Sequence, residues 1–495
     1  MKKQFTLILS LLITTLLYAQ EKQPLLSVPQ MHSDIAVLKS AFTQLHPGIY
    51  RYTTKARFNQ YFDDITRQTA KPLRLAGFYT RLSQLTAKLK CGHTYLNPYN
   101  QRESVNVQLL SVPVLPLLFK VIDKRLIVTH NLSGRAEIKP GDELVSINGM
   151  ARSAIIDSLL TVSRADGDHG LDKRLDNISI TPEFANGQKY ALFDIYFPLF
   201  FPHKDKEASY QMLVKSYKTK TLITYPIDLI SKTERDKRYQ HQFGSGARQA
   251  TATFKWISAR CGYLQIRDFT TEGWGGDYQI ILDSVFTELH ALNAQHLIVD
   301  IRDNEGGDDA VRNKVISYLI KQPAFHAIRR YYRFLKVPDE LLPYIKTWDP
   351  SFKAPKPADE YAHTTDNLYF EKNRNPVDIV IPNQKHFSGK VYLMTNATNS
   401  SSSFLMADIL QQTKSVKLVG EPTGGTKQGI NGGQFFFLYL PSSGIEVDIP
   451  LVYQSPLKMR KDEGIQPDVT VTTQPEDMAT GLDRQLEYLI RRISR

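Results

Sequence analysis

The apolar run Val391-Tyr392-Leu393-Met394 leads within a few residues into Asn399-Ser400-Ser401-Ser402-Ser403, and then into Phe404-Leu405-Met406-Ala407-Asp408. A strand that turns directly into a helix is part of a βα unit. Upstream, a helical pattern (Ile280, Ile281, Val285, Leu289, Leu292) precedes a second apolar strand at 296–301. Repeated alternation of this kind, continuing to residue 420, predicts an α/β core. The serine run also marks a chemical address. The first N–H groups of a helix have no partner within it and can face a developing oxyanion. Serine is equally common there as a plain helix cap, so the segment alone does not decide between the two roles.

A hydroxyl nucleophile needs a base, because at its own pKa it is nearly inert. Leu89-Lys90-Cys91-Gly92-His93-Thr94 supplies a histidine. Phe78, Leu82, Leu85 and Leu89 recur at helical spacing, so a rigid element runs directly into Cys91-Gly92-His93. The alternative for His93 is a histidine that bonds the last carbonyls of that helix. Ile35, Leu38, Phe42 and Leu45 predict an earlier helix, capped by Ser33 or Asp34 and ended by His46-Pro47.

A length of 495 residues predicts about three domains. Lys2 and Lys3, the apolar run from Phe5 to Leu17 and the small Ala19 form the pattern of a secretory signal peptide over residues 1–19, too short for a membrane span. A secreted or periplasmic protein is therefore expected. Only Cys91 and Cys261 are present, which excludes a disulfide framework and a metal site built on cysteine pairs. The net charge of +12 is spread among acidic residues without a basic stripe, so no nucleic-acid partner is expected. The oligomeric state is left open.

Residues 20–103 are expected to form an N-terminal helical domain. Over 104–165 the pattern changes to short strands, at 112–121 and 126–129, followed by Pro140-Gly141-Asp142, the alternating Glu143 to Ile147, and Asn148-Gly149. This order of tight turn, strand and Asn-Gly hairpin resembles a PDZ domain, a module that adds an extended peptide, often a C-terminus, to a sheet edge. A common β-hairpin is the plainer alternative. Residues 166–255 show no strong period and are read as a connecting or inserted β-rich region. The catalytic core is assigned to 256–495, ending in a helix over 482–493.

Four motifs in order make a more definite resemblance: Asp300-Ile301-Arg302-Asp303-Asn304-Glu305-Gly306-Gly307, the serine segment, Gly420-Glu421-Pro422-Thr423-Gly424-Gly425, and Gly464-Ile465-Gln466-Pro467-Asp468. With Gly92-His93-Thr94 and the PDZ-like insert, the chain resembles the C-terminal processing (tail-specific) serine peptidases. The resemblance implies a multidomain α/β protein: a crotonase/ClpP-like catalytic core, a PDZ-like β domain and an N-terminal helical domain, with no metal or organic cofactor. The family's nucleophile lies nineteen residues before the glycine of Gly-Glu-Pro-Thr, which selects Ser401 among Ser400 to Ser403.

Two catalytic arrangements occur in that family. In the Ser–Lys dyad the lysine falls twenty-five residues after the serine; Thr426 occupies that position here and Lys427 follows it. The tricorn-core arrangement uses a histidine, which His93 supplies, and it is the closer match. There Gly92 replaces a serine, and Lys461 stands where the acid is expected, so Asp462 or Glu463 takes the acidic place under a shift of the loop. The oxyanion donors are expected to be the Ser402 N–H and the Gly306-Gly307 turn, whose missing Cβ atoms let a substrate carbonyl approach. The expected function is hydrolysis of protein or peptide substrates. The rivals are a catalytically silent peptide-binding protein of the same fold and an esterase.

Overall fold

The computed structural model describes residues 25–494 except 111, 186, 188, 203–208 and 245–249. The proposed signal peptide lies outside the described residues.

Helices Val28–Leu45, Lys55–Gln68 and Leu75–Ala87 open the chain. The first starts earlier than its cap signals predict: its N-cap is Ser27, and Ser33 and Asp34 are inside it. Asp34 is fully buried, and its carboxylate accepts the backbone N–H groups of Ser442 and Ser443 at 2.8 and 2.9 Å. An acidic residue near a predicted helix start here caps a distant turn. His46-Pro47 ends the helix as expected.

The strand expected at 112–121 starts late, as Leu117–Ile122: Pro113 and Pro116 interrupt the stretch before it, and Val114 makes only an isolated bridge to Ile230. Asn148 and Gly149 both have positive φ, 48° and 75°, and join strands Glu143–Ile147 and Met150–Ala151 as the Asn-Gly signal requires. The sheet these strands start does not end at 165. It continues with Ser209–Lys215, which pairs with Glu143–Ile147, and then Leu222–Asp228. The segment between them, expected to be β-rich, contains helices Leu171–Asp176 and Leu192–Phe200. Leu192–Phe200 is apolar nearly all round and carries Pro198, which hides a helical period.

The core sheet has the strand order Val469–Thr470, Val416–Gly420, Lys390–Thr395, His296–Asp300, Cys261–Ile266, Ala252–Ser258, parallel throughout except for the last pair. Alternate residues bury on opposite faces. Leu297, Val299 and Leu393 pack with helices Tyr278–Ala291, Asp309–Leu319 and Ser401–Thr413, while Ile298, Tyr392 and Met394 meet Leu489 of the terminal helix Arg484–Ile493. Three of the four motif loops leave the carboxyl ends of parallel strands, where open α/β sheets place their ligand sites, and the fourth, at 464–468, precedes the strand Val469–Thr470.

The N-terminal helices and the sheet running from Leu117–Ile122 to Leu222–Asp228 share one hydrophobic cluster, which also takes in Phe436, Leu438, Val447 and Ile449 from the hairpin Phe435–Tyr439/Glu446–Pro450 of the core. Glu446 is fully buried on this hairpin. Burial, and then the neighbouring Asp448 carboxylate, push its pKa well above the ordinary glutamate value. Asn97 and Asn100 donate to Asp448 at 3.0 and 3.1 Å. A carboxyl with a raised folded pKa contributes stability that is fully present below its unfolded pKa and lost as pH rises toward the folded one. Glu446→Gln, neutral at every pH, is therefore expected to melt higher than the wild type at pH 8, with no gain at pH 4. The gain should grow by about 1.4 kcal/mol per pH unit within that window, and thermal melts across pH check it.

Candidate functional site

Ser400 is the cap of helix Ser401–Thr413 and Ser401 its first residue, with the left-handed φ of 51° that bulky residues avoid. The four serines divide cleanly. Ser400 Oγ donates to the Glu305 carbonyl (3.2 Å), Ser402 Oγ to Asp309 (2.9 Å), and Ser403 Oγ lies within bonding distance of the Asn304 and Ser400 carbonyls. Ser402 and Ser403 are buried. Among the described residues the Ser401 hydroxyl has no hydrogen-bond partner, and it is partly exposed.

Two asparagines build the bed beneath it. Asn399 donates to the Ile301 and Asn304 carbonyls (2.6 and 3.1 Å), and its own carbonyl accepts from Gly424 and Gly425. Asn304 Oδ1 accepts the Gly306 N–H at 2.8 Å. That bond corrects one expectation: the Gly306 amide is already used inside the turn, and the Gly307 N–H has no acceptor among the described residues. The Ser402 N–H likewise has none. Gly306 has φ 124°, and a Cβ there would lie 2.9 Å from both Ser401 Cβ and Ser402 N, so only glycine fits against the serine. A Cβ on Gly464 would lie 2.0 Å from the Thr423 carbonyl, and Ile465 N–H donates to Thr423 Oγ1 at 2.8 Å. The Gly-Glu-Pro-Thr and Gly-Ile-Gln-Pro motifs are thus the two halves of one strap.

His93 follows a turn in which Lys90 has φ 53° and the Thr94 N–H bonds the Cys91 carbonyl. Its ring lies about 3.7 Å from the position of a Cβ on Gly432, and 5.7 Å from the Phe435 ring. Thr94 is fixed from behind by His46, whose Nδ1 accepts the Gly48 N–H (3.0 Å), leaving Nε2–H to donate to Thr94 Oγ1 at 2.8 Å. Burial and then the Arg51 guanidinium depress His46 to about 3, which keeps it neutral for that task. Burial also lowers His93, countered chiefly by the Asp166 carboxylate. Glu305 bears on His93 as well, and its backbone carbonyl holds Ser400. Lys173, donating at 2.5 Å, pulls the Glu305 carboxyl down to about 2.

The remaining expected site residues are occupied elsewhere. Lys427 Nζ donates to Glu463 at 3.1 Å, and Glu463 is half-exposed. Asp462 accepts from Asp168 N–H (2.7 Å), Thr426 Oγ1 (2.8 Å) and the His169 ring (3.0 Å). Burial would raise Asp462, but these bonds hold it below the ordinary aspartate value. Neither carboxylate has a bond to His93. Thr426, at the dyad position, is buried and holds Asp462. The composition offered no signal for His46, Lys173 or Asp166, which sit at the site through tertiary contacts alone. No group of metal-ligating side chains is found among the described residues.

Residues 260–471 match peptidase family S41. Among solved structures, mature CPAF complexed with lactacystin superposes with a TM-score of 0.64 at 12% identity, covering 94% of this chain and 97% of that one. An S499A mutant of CPAF gives 0.62 at 13% identity, covering 94% and 96%. At such identities the likeness concerns the fold, and it extends over nearly the whole chain. Among curated proteins none matches the chain by sequence.

Proposed function

We propose, starting from the fact that this chain belongs through residues 260–471 to peptidase family S41, the C-terminal processing peptidases, and is a serine-type peptidase, that it cleaves protein or peptide substrates through an acyl-enzyme on Ser401 with His93 as general base. The single observation that carries this assignment is the state of the serine run: three hydroxyls are tied down, and the fourth, on a strained helix-start residue beside a glycine turn, is not. Ser401 Oγ attacks the peptide carbonyl, and its proton passes to His93 and on to the leaving amine. The Ser402 and Gly307 N–H groups stabilise the oxyanion, each worth about 3 kcal/mol in such sites. Water then attacks the acyl-enzyme with His93 again as base.

Supporting the PDZ-like role, the outer strand Leu222–Asp228 presents Leu222 and Ile223 to solvent, an edge to which an extended peptide adds. A substrate tail held there raises the local concentration of the scissile bond. Export to a periplasm or beyond follows from the leader-like first residues and is part of the same proposal. No helix among the described residues is long and apolar enough to cross a membrane.

Labelling with a fluorophosphonate and peptide mapping tests the assignment. Modification at Ser401 that is lost in His93→Ala is the expected result; folded protein that takes no label overturns it in favour of a silent peptide binder. Gly306→Ala is expected to slow labelling by about 100-fold or more, since the added methyl meets backbone and the nucleophile's own Cβ. Labelling rates of the folded variant check this.

A further inference from the structure

We propose that Asp166 is the carboxylate that backs His93, filling the acidic role left open by Lys461; this rests on His93 being the base. The loop carrying Asp166 is zipped onto the histidine turn. Gly92 N–H donates to Asp166 Oδ1 at 2.9 Å, Gly167 N–H donates to the Lys90 carbonyl at 3.0 Å, Arg164 donates to the Gly92 carbonyl, and Lys90 pairs with Asp168. Asp166 is 1% exposed.

Two buried polar atoms in this zipper have no partner among the described residues: Asp166 Oδ2 and His93 Nδ1. Gly92, which holds Asp166 Oδ1, is the residue next to His93, so two unpartnered atoms of complementary type belong to one turn and point to a shared use. Gly92 explains how the carboxylate comes so close, because a Cβ there would lie 3.0 Å from Asp166 Oδ2. A side chain at position 92 would press on the carboxylate by a few tenths of an ångström, so the glycine suits the aspartate. Asp462 is disqualified by its three donors, one of them a different histidine, and Glu463 by its bond to Lys427.

No hydrogen bond joins the two side chains in this structure. Asp166 acts as a positioning residue: its charge favours the imidazolium formed when His93 takes the Ser401 proton on Nε2, and its unpaired Oδ2 is the acceptor assigned to the Nδ1–H that the ring carries. The proton leaves on the departing amine, and Asp166 gains none. The other charged groups facing His93 are Arg164 on the same loop, Lys173 on helix Leu171–Asp176 and Glu305 in the glycine turn; Arg164 and Lys173 oppose the imidazolium and Glu305 favours it.

The test follows the His93 ring by NMR of histidine-labelled protein, alongside the pH dependence of fluorophosphonate labelling. Asp166→Asn keeps an acceptor for Gly92 N–H while removing the charge and replacing Oδ2 with an amide NH2. It should move the His93 midpoint and the acid limb of the labelling profile together toward lower pH, by about one unit, and slow labelling at least tenfold. Asp166→Glu should restore the midpoint. Should Asp166→Asn not fold, Asp166→Ser makes the same measurement. An unmoved His93 midpoint, or a larger displacement in Asp462→Asn, overturns the proposal. The NMR arm reads the Asp166–His93 coupling even if Ser401 takes no label, so failure of the catalytic assignment and failure of this inference give different results.

Discussion

Ser401→Ala is expected to abolish peptide turnover, with a fall in kcat of about 10⁶-fold, since loss of a nucleophile that acts with its base removes nearly all the chemistry. The three neighbouring serines do not rescue it, because each hydroxyl is committed to Glu305, Asp309 or Asn304. The same position has a stability signature. With φ at 51°, Ser401 holds a conformation that costs an L-residue about 1 kcal/mol, so Ser401→Gly should be as inactive as the alanine variant yet melt higher. Turnover of a protein substrate and thermal melts of both variants check this. Residual turnover above a hundredth of wild type in Ser401→Ala would transfer the nucleophile to another serine.

The second large effect concerns stability. Arg235 and Asp194 are both fully buried, joined by bonds of 2.8 and 2.6 Å, with Arg235 also donating to the Phe184 carbonyl at 2.8 Å. The pair ties helix Lys232–Phe243 to helix Leu192–Phe200 within the PDZ-like region. Arg235→Leu leaves the Asp194 carboxylate without its counter-ion in an apolar interior, at a cost of about 3–5 kcal/mol. Adding Asp194→Asn should recover a large part of that loss, since the uncompensated charge is the main penalty and the Ala191 N–H at 3.1 Å still finds an acceptor. Urea unfolding of the two variants measures the difference; equal stability of single and double variants would mean that lost packing, and not the stranded charge, dominates.

Much of the catalytic frame was legible because strands and helices of the core alternate with clear periods, and because the motif glycines have local reasons. Gly306 and Gly464 sit where no Cβ fits, so their spacing to Ser401 and Thr423 carries geometric information. The sheet of the PDZ-like region was only half legible. Its Asn148-Gly149 turn is a local signal, but the strand that pairs with Glu143–Ile147 comes from Ser209–Lys215, beyond the three helices Arg152–Leu160, Leu171–Asp176 and Leu192–Phe200, which no period announced. Asp34 shows the same limit on a smaller scale: its cap-like chemistry was visible, its partner more than 400 residues away was not. Asp166 could not be found from spacing at all. It lies where the family resemblance is weakest, and its role depends on a loop folding back on Gly92.

The split origin of the site has a consequence in time. His93 and Asp166 belong to about the first third of the chain, whose apolar interior is completed by Phe436, Leu438, Val447 and Ile449, while Ser401 opens a helix packed in a separate core. During synthesis His93 emerges long before Ser401, and the interior that steadies it stays unfinished until the 435–450 hairpin has left the ribosome. Under the proposed assignment, a nascent chain of this architecture has no assembled site until the 435–450 hairpin and the core around Ser401 have been made.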